Sequence, residues 1–241
     1  MRLHFFPETA STNDEARDRK YCHGDVVLAE NQLAGRGQRG NGWAGGVGEN
    51  LTFSLVIEPA TLPFEKPFLL SEATAVALVE TLGDFGIGAA IKWPNDIYVG
   101  ERKISGVLIE NDLMGDRFTK SVVGIGLNVN QRVFDPSLPN PVSMAQVGGR
   151  TFDRTDVFGV LLGRLVARLW GFSEGDLDAA ALEKRYFSLL YRGGGVFRYR
   201  DVAMDERFEA RIERVEPSGE LTLVRPDGTR KGFFFKEVEF L

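Results

Sequence analysis

Arginine and glycine residues are concentrated in one stretch, residues 29–43, which reads AENQLAGRGQRGNGW. Its two arginines, Arg36 and Arg39, carry a permanently charged planar group that suits carboxylate and phosphate oxygens. Its glycines lower the steric cost of unusual backbone angles and let amide groups approach a ligand closely: Gly35, Gly37, Gly40 and Gly42. This composition predicts a loop that handles an anion, although a flexible surface loop is the simpler interpretation of the stretch taken alone.

Four further polar segments lie next to apolar runs: residues 11–13 (STN), 92–96 (KWPND), 101–110 (ERKISGVLIE) and 124–130 (GIGLNVN). The hydroxyl and amide groups of the first segment can cap a helix or hold a polar ligand group, and the local sequence leaves both open. Lys103, taken alone, is interpreted as a solvated lysine of a hairpin. The last segment has Val129 where the dinucleotide-binding fingerprint has its third glycine, and no GxxxxGK[ST] phosphate loop occurs. The common nucleotide-binding folds are therefore not predicted.

The spacing of apolar residues predicts the elements that must position these segments. Strands are expected over residues 3–6, 26–28, 51–57, 89–93, 97–99, 103–110 and 121–129. Helices are expected from a cap at Thr12 to about residue 20, over residues 66–85 as an amphipathic helix, after a cap at Asp153 or Thr155, and over residues 178–190. Residues 131–150 are expected to form a structured loop. After the glycines at 193–195, strands over 196–199, 208–215, 221–224 and 232–240 predict a small β-barrel.

Composition and charge limit the classes of function. The length of 241 residues fits one large domain, or a large one with a small one. A net charge of -5 gives no overall basic surface for nucleic acid. The single cysteine, Cys22, cannot form an intrachain disulfide and indicates a reducing compartment. Because neither a signal peptide nor an apolar window of roughly eighteen residues is found, the sequence predicts a cytoplasmic protein that binds no membrane.

The five segments, in this order, resemble the biotin protein ligases, the enzymes that attach biotin to a lysine of biotin-dependent carboxylases. The resemblance implies an α+β fold: a mixed β-sheet backed by helices over residues 1–190, like the class II synthetases, and an SH3-like β-barrel over residues 191–241. It implies activation of biotin by ATP and Mg²⁺ to biotinyl-5′-AMP, followed by transfer to a lysine of a biotin carboxyl carrier domain. Only ten residues precede Ser11, so the DNA-binding module of some relatives is not expected. The oligomeric state, a homodimer included, stays open.

The resemblance also implies which residues act in the site. Lys103, Arg36 and Arg39 would be catalytic. The residues that would bind biotin are Ser11, Thr12, Asn13, Gln32, Gly35, Arg36, Gly37, Gln38, Lys103 and Gly106. The residues that would bind ATP or the adenylate are Arg36, Arg39, Trp43, Asn95, Asp96 and Asn128. The metal ligands are not assigned, and Trp93 is expected in the core.

One loop residue departs from the family pattern. Gln38 stands where many relatives carry a basic residue, which leaves open how tightly the adenylate is held.

Two alternatives remain at this point. A lipoate ligase would be similar in fold and reaction but would take a longer, slimmer acyl substrate, and the GRGQRGNGW loop argues against it. A non-catalytic biotin sensor or carrier-binding module would not need the cations Arg36, Arg39 and Lys103, which are all present.

Overall fold

A large mixed sheet forms the centre of the protein, whose computed structural model describes residues 1–40 and 42–241, apart from the side chain of Arg39. Its strands are β1 (Leu3–Thr9), β2 (Val26–Gln32), β3 (Leu51–Ile57), β4 (Ala90–Lys92), β5 (Asp96–Val99), β6 (Arg102–Met114) and β7 (Arg117–Leu127). They lie in the order β1-β2-β3-β7-β6-β5-β4, with β1 and β2 parallel and the other neighbours antiparallel. The predicted mixed sheet is confirmed.

The two faces of the large sheet differ because side chains alternate along each strand. The face that carries Phe53, Val107 and Ile125 is apolar, and all three side chains are buried under helices. The opposite face carries small residues where β3, β7 and β6 are paired: Ser54 lies opposite Gly124, and Gly126 lies opposite Gly106. This second face leaves room for other groups to lie on the sheet.

Six helices are found in the described part of the chain: α1 (Thr12–Ala16), α2 (Leu69–Asp84), α3 (Met144–Gly148), α4 (Arg154–Leu169), α5 (Gly171–Glu174) and α6 (Ala179–Ser188). The prediction that the second of these is amphipathic was wrong. Twelve of the sixteen residues of α2 are buried, because the sheet, α4 and α6 all pack against it. The predicted Asp153 cap is confirmed, since its carboxylate accepts from the amides of Thr155 and Asp156.

Two local predictions needed correction. The first helix ends at Ala16 rather than near residue 20, and Ser11, not Thr12, is in the capping position without a side-chain hydrogen bond. The ammonium group of Lys120 binds the carbonyl oxygens of Arg17, Asp18 and Tyr21, which stabilises a turn there in place of further helix. The predicted loop over residues 131–150 contains α3, which begins with a capping box between Ser143 and Gln146.

A small antiparallel sheet follows, which confirms the predicted C-terminal strands, whereas their closure into an SH3-like barrel stays a prediction. Its strands are β8 (Phe197–Asp201), β9 (Glu206–Val215), β10 (Leu221–Val224), β11 (Arg230–Phe233) and β12 (Val238–Phe240), in the order β11-β10-β9-β8-β12. The last predicted strand is divided in two by a turn in which Lys236 has a φ of 74°. The boundary predicted between residues 190 and 191 falls in the connection from α6 to β8 and stays a prediction.

The small sheet packs against the large one through the turn that precedes β10. The indole Nε1 of Trp93 donates to the carbonyl oxygen of Gly219 at 3.0 Å, and Trp93 is only 4% exposed, as expected for a core residue. None of the helices in the two described ranges is long and apolar enough to cross a membrane.

Candidate functional site

A cleft lies on the small-residue face of the large sheet, and glycines form its floor. A β-carbon at Gly124 would lie 2.0 Å from Oδ1 of Asn13, and one at Gly126 would lie 2.1 Å from the indole ring of Trp43. Only glycine therefore lets α1 and the glycine-rich loop approach the sheet so closely. The lining residues are Ser11, Thr12, Asn13, Gln32, Arg36, Gly37, Gln38, Gly42, Trp43, Thr52, Asn95, Asp96, Lys103, Gly106, Val107, Leu108, Gly124, Ile125, Gly126 and Phe235.

At one end of the cleft, α1 presents a wall of buried polar groups. Ser54 Oγ on β3 lies 2.8 Å from Thr12 Oγ1 and 2.6 Å from Asn13 Oδ1. The backbone amide of Thr12 donates to Oε1 of Gln32 at 2.7 Å. Ser11, Thr12 and Asn13 are each no more than 3% exposed. Contacts with the strands hold the side chains of Thr12 and Asn13. The structure thus brings Ser11, Thr12, Asn13 and Gln32 together in one cleft, and their contacts with biotin stay predictions.

The glycine-rich loop closes on itself above the sheet. The amide of Trp43 donates to the carbonyl oxygen of Gly35 at 2.9 Å, and Arg36 forms a β-bridge with Gly42. A short 3₁₀ helix, Gln38–Gly40, forms the outer part of the loop. The prediction for Arg39 falls on a side chain outside the described part of the structure.

The guanidinium of Arg36 is bound by two carboxylates. Its Nη1 and Nη2 lie 3.2 and 2.8 Å from the two carboxylate oxygens of Glu110, and Nη2 lies 2.6 Å from Asp14 Oδ1. These hydrogen bonds with Glu110 raise the pKa of Arg36 above its usual value. Burial alone would raise the pKa of Glu110, but hydrogen bonds from Asn13 and Arg36 outweigh it and hold that pKa below its usual value. Both groups are therefore charged at neutral pH.

At the other end of the cleft, a lysine, a carboxylate and an indole ring meet. Lys103 Nζ lies 2.7 Å from Asp96 Oδ1 and 5.9 Å from the ring centroid of Trp43. The indole Nε1 of Trp43 is buried without a hydrogen-bond partner among the described residues. Asn95 Nδ2 donates to the carbonyl oxygen of Val107 at 2.5 Å, which fixes the turn before β5. Phe235, from the turn between β11 and β12, also lines the cleft.

Two predicted site residues, Gly35 and Asn128, do not line the cleft as the structure describes it. Gly35 lies at the neck of the loop, where a β-carbon would come within 2.3 Å of the carbonyl oxygen of Trp43. Asn128 is 4% exposed, and its Nδ2 donates to the carbonyl oxygen of Val142 at 3.0 Å. Both residues make contacts that stabilise the protein's own structure, and their contacts with a ligand stay predictions.

Sequence reasoning missed Glu110, Ser54 and Phe235 as site residues. Glu110 ends the segment ERKISGVLIE, and a carboxylate at the end of an apolar run is a signal that could have marked it. Ser54 lies within an apolar strand and Phe235 comes from a separate sheet. Only the folded chain brings Ser54 to Thr12 and Asn13, and Phe235 to the cleft.

Comparisons with known proteins agree with this geometry. The sequence profile of the biotin/lipoate A/B protein ligase family matches residues 5–128. The bifunctional ligase/repressor BirA of Bacillus subtilis is 34% identical over 160 residues, which cover 64% of this chain and 48% of BirA. The biotin–[acetyl-CoA-carboxylase] ligase of Mycobacterium tuberculosis is 30% identical over 176 residues, which cover 70% of this chain and 64% of that protein. The match thus spans about half the length of the first relative.

A solved structure is similar over the whole chain. The biotin protein ligase of Aquifex aeolicus in complex with biotin and ATP superposes with a TM-score of 0.81 and 25% identity, covering 100% of this chain and 98% of that one. The family profile covers more than half of the residues, and the resemblance found in the sequence motifs is confirmed. The chain therefore belongs to the biotin/lipoate A/B protein ligase family.

Proposed function

We propose that this protein is an ATP-dependent biotin protein ligase. It would join biotin to AMP and then transfer the biotinyl group to a lysine of a biotin carboxyl carrier domain. The observation that carries the proposal is the cleft itself, in which one glycine floor joins a buried uncharged polar wall to an end with a lysine and an indole ring. A reaction between a nucleotide and an acid that carries a polar ring would need these two environments next to each other.

The polar wall favours biotin over lipoate as the acid. The ureido ring of biotin offers N–H donors and a carbonyl acceptor, and Ser11, Thr12 and Asn13, which line the cleft, offer hydroxyl and amide groups to match them. The dithiolane ring of lipoate offers neither, so it would displace water from this polar wall without forming hydrogen bonds in return. Sites built to hydrogen-bond a substrate reject analogues that lack the polar groups, often by orders of magnitude.

The cations of the cleft suit the first reaction step. An oxygen of the biotin carboxylate attacks the α-phosphorus of ATP, and the bond from that phosphorus to the pyrophosphate leaving group breaks. Two anions must approach each other, so positive charge is required where negative charge develops. Arg36 and Lys103 would provide it from opposite ends of the cleft, with Arg39 as a third cation by resemblance. Trp43 would stack on the adenine, with Asn95 and Asp96 nearby.

Magnesium fits the nucleotide end as a partner of the phosphates. No group of three or more His, Cys, Asp or Glu side chains in the described part of the chain could hold a metal by itself. Mg²⁺ in nucleotide sites is held by one or two carboxylates together with substrate phosphates, and Asp96 provides a carboxylate there. Bound in this way, Mg²⁺ would neutralise polyphosphate charge.

The second step transfers the acyl group. The ε-amine of the acceptor lysine attacks the biotinyl carbonyl carbon, the bond to AMP breaks, and the amine loses a proton. Lys103 would polarise that carbonyl, since its ammonium group has donors besides the one paired with Asp96. The glycine-rich loop, closed over the adenylate, would keep water from the reactive anhydride.

Biotin-dependent exchange of pyrophosphate into ATP tests the proposed half-reaction. The purified protein is assayed with Mg²⁺ and with biotin, lipoate or octanoate as the acid. We expect exchange with biotin alone. Exchange with lipoate alone would assign the chain to lipoate chemistry, and no exchange with any acid from a folded sample would favour a binding module.

A further inference from the structure

Glu110 connects helix α1 and the glycine-rich loop, although it does not line the cleft itself. It lies on the small-residue face of β6, and its side chain is 19% exposed. Its Oε2 accepts from Asn13 Nδ2 of α1 at 2.9 Å and from Arg36 Nη2 of the loop at 2.8 Å. Its Oε1 accepts from Arg36 Nη1 at 3.2 Å and, more weakly, from Arg17 Nη1 at 3.4 Å. One carboxylate therefore binds both a helix residue and a loop residue.

The contact with Asn13 fixes the orientation of an amide. A primary amide can present either its oxygen or its nitrogen to a ligand unless its neighbours decide. Here Nδ2 donates to Glu110 and, at 3.3 Å, to the carbonyl oxygen of Leu108, whereas Oδ1 accepts from Ser54. All three contacts favour the same orientation, and Glu110 contributes the charged, and therefore the stronger, acceptor.

The contact with Arg36 fixes the direction of a cation. The bidentate arrangement of a guanidinium on a carboxylate defines the plane of the group as well as its distance. Asp14, the other carboxylate on Arg36, has a side chain that is 52% exposed and is a weaker constraint. Glu110 is the more enclosed partner, and it leaves part of the guanidinium available to a substrate anion.

We propose that Glu110 is a positioning residue of the ligase, which holds the Asn13 amide and the Arg36 guanidinium in the orientations that meet biotin. The proposal rests on the proposed function and adds to it the residue that couples the polar wall to the loop. Glu110 acts only through these two groups. Without its charge, Arg36 keeps only the exposed Asp14 as a charged partner and Asn13 keeps only uncharged partners, so biotin must provide more of the ordering when it binds.

Replacement of the carboxylate by an amide gives a direct test. In Glu110→Gln the side chain keeps its size and one acceptor oxygen but loses the charge that binds Arg36. Biotin affinity is measured by titration calorimetry without ATP, and trypsin cleavage after Arg36 is followed without biotin. We expect the Kd for biotin to rise about tenfold, the effect of one charged hydrogen bond, and cleavage to become faster.

The matched control is Asp112→Asn, two residues further along the same strand. Asp112 contacts Arg17 at 3.5 Å and no residue of the cleft, so biotin affinity and cleavage should stay within twofold of the wild type. A double-mutant cycle with Arg36→Ala then separates positioning from simple stabilisation. If Glu110 acts through Arg36 and Asn13, Glu110→Gln should weaken binding less in the Arg36→Ala background, because only the Asn13 contact remains to be lost.

Two results would overturn the proposal. One is a biotin Kd for Glu110→Gln within twofold of the wild type. The other is an effect of equal size with and without Arg36, accompanied by a lowered unfolding midpoint, which would make Glu110 a stabilising residue only. Failure of the proposed function is separate, because it would appear as no biotin binding by the wild-type protein.

Discussion

At the scale of single residues, the charged side chains that the structure describes along the cleft are Arg36, Asp96 and Lys103, and all three are already paired. Lys103 is bound to Asp96, and Arg36 is bound to Asp14 and Glu110. Pairing of this kind keeps the cations in place without substrate and lowers the cost of ordering them when an anion arrives. We therefore expect removal of these groups to lower the reaction rate more than it lowers the stability of the fold.

Lys103 gives the clearest test at this scale. Lys103→Ala removes a partly exposed side chain, so the unfolding midpoint should change little. The rate of biotin-dependent pyrophosphate exchange should fall on the order of a hundredfold, the usual cost of losing one group that stabilises charge in the transition state. Lys103→Arg is the matched variant that keeps the charge. Activity of Lys103→Ala equal to the wild type would remove this residue from the mechanism.

At the scale of elements, the site depends on how strands and a short helix meet. The strands β3, β6 and β7 were predicted from the sequence, and so were the long helices α2 and α4. The length of α1 was not, because Lys120, about a hundred residues away, binds the turn that ends it. Glu110 was missed for the same reason: Asn13, its partner, is 97 positions away. Local patterns predict elements, whereas long-range contacts decide their ends and their functional neighbours.

The glycine floor makes a prediction about β7. A β-carbon at Gly126 would lie 2.1 Å from the ring of Trp43, so Gly126→Ala must displace the indole from the cleft. We expect pyrophosphate exchange to fall at least tenfold while circular dichroism stays unchanged. The control is Gly163→Ala on α4, where an added β-carbon would meet no atom of another described residue within 4 Å, apart from its chain neighbours and the backbone of its own helix. That variant should keep full activity and gain up to about 1 kcal/mol of stability from helix propensity. Normal activity in Gly126→Ala would mean that the position of Trp43 does not matter.

Helix α2 carries a buried carboxyl group whose titration should affect stability. Glu72 is 3% exposed, and burial together with the nearby Glu183 raises its pKa from 4.5 to about 8. The folded state therefore keeps a proton that the unfolded state releases above about pH 4.5, so the contribution of Glu72 to stability is lost as pH rises from about 4.5 to about 8. The total loss should be on the order of a few kcal/mol.

Glu72→Gln, which does not titrate, isolates this effect. Thermal unfolding is measured for both proteins from pH 5 to pH 9. The unfolding midpoint of the variant, relative to that of the wild type, should rise with pH, and this difference should become constant above about pH 8. Parallel curves for the two proteins would show that Glu72 ionises normally in the fold.

At the scale of the whole molecule, the small C-terminal sheet takes part in the cleft. The contact between Trp93 and Gly219 holds the two sheets together, and Phe235 lines the cleft from the turn between β11 and β12. The sequence predicted a small β-barrel but not this contact, because no local pattern shows which turn of one sheet meets the other. The arrangement makes the C-terminal part of the chain a component of the site.

Phe235→Ala tests this contribution. Loss of the ring should lower kcat/KM for pyrophosphate exchange by about fivefold to tenfold, the size of one aromatic contact. The matched control is Phe234→Ala, since the neighbouring ring is 44% exposed and does not line the cleft as described. Equal effects of the two substitutions would indicate a general disturbance of the turn rather than a contact with the ligand.

The most direct test of the central claim is complete transfer to an acceptor. A purified biotin carboxyl carrier domain is incubated with the protein, ATP, Mg²⁺ and biotin, and its mass is measured. The account predicts one added biotinyl group on one lysine, formed only when ATP and biotin are both present, and much more slowly with Lys103→Ala. An acceptor that stays unmodified, or that is modified equally well with lipoate, would contradict the assignment of this cleft to biotin transfer.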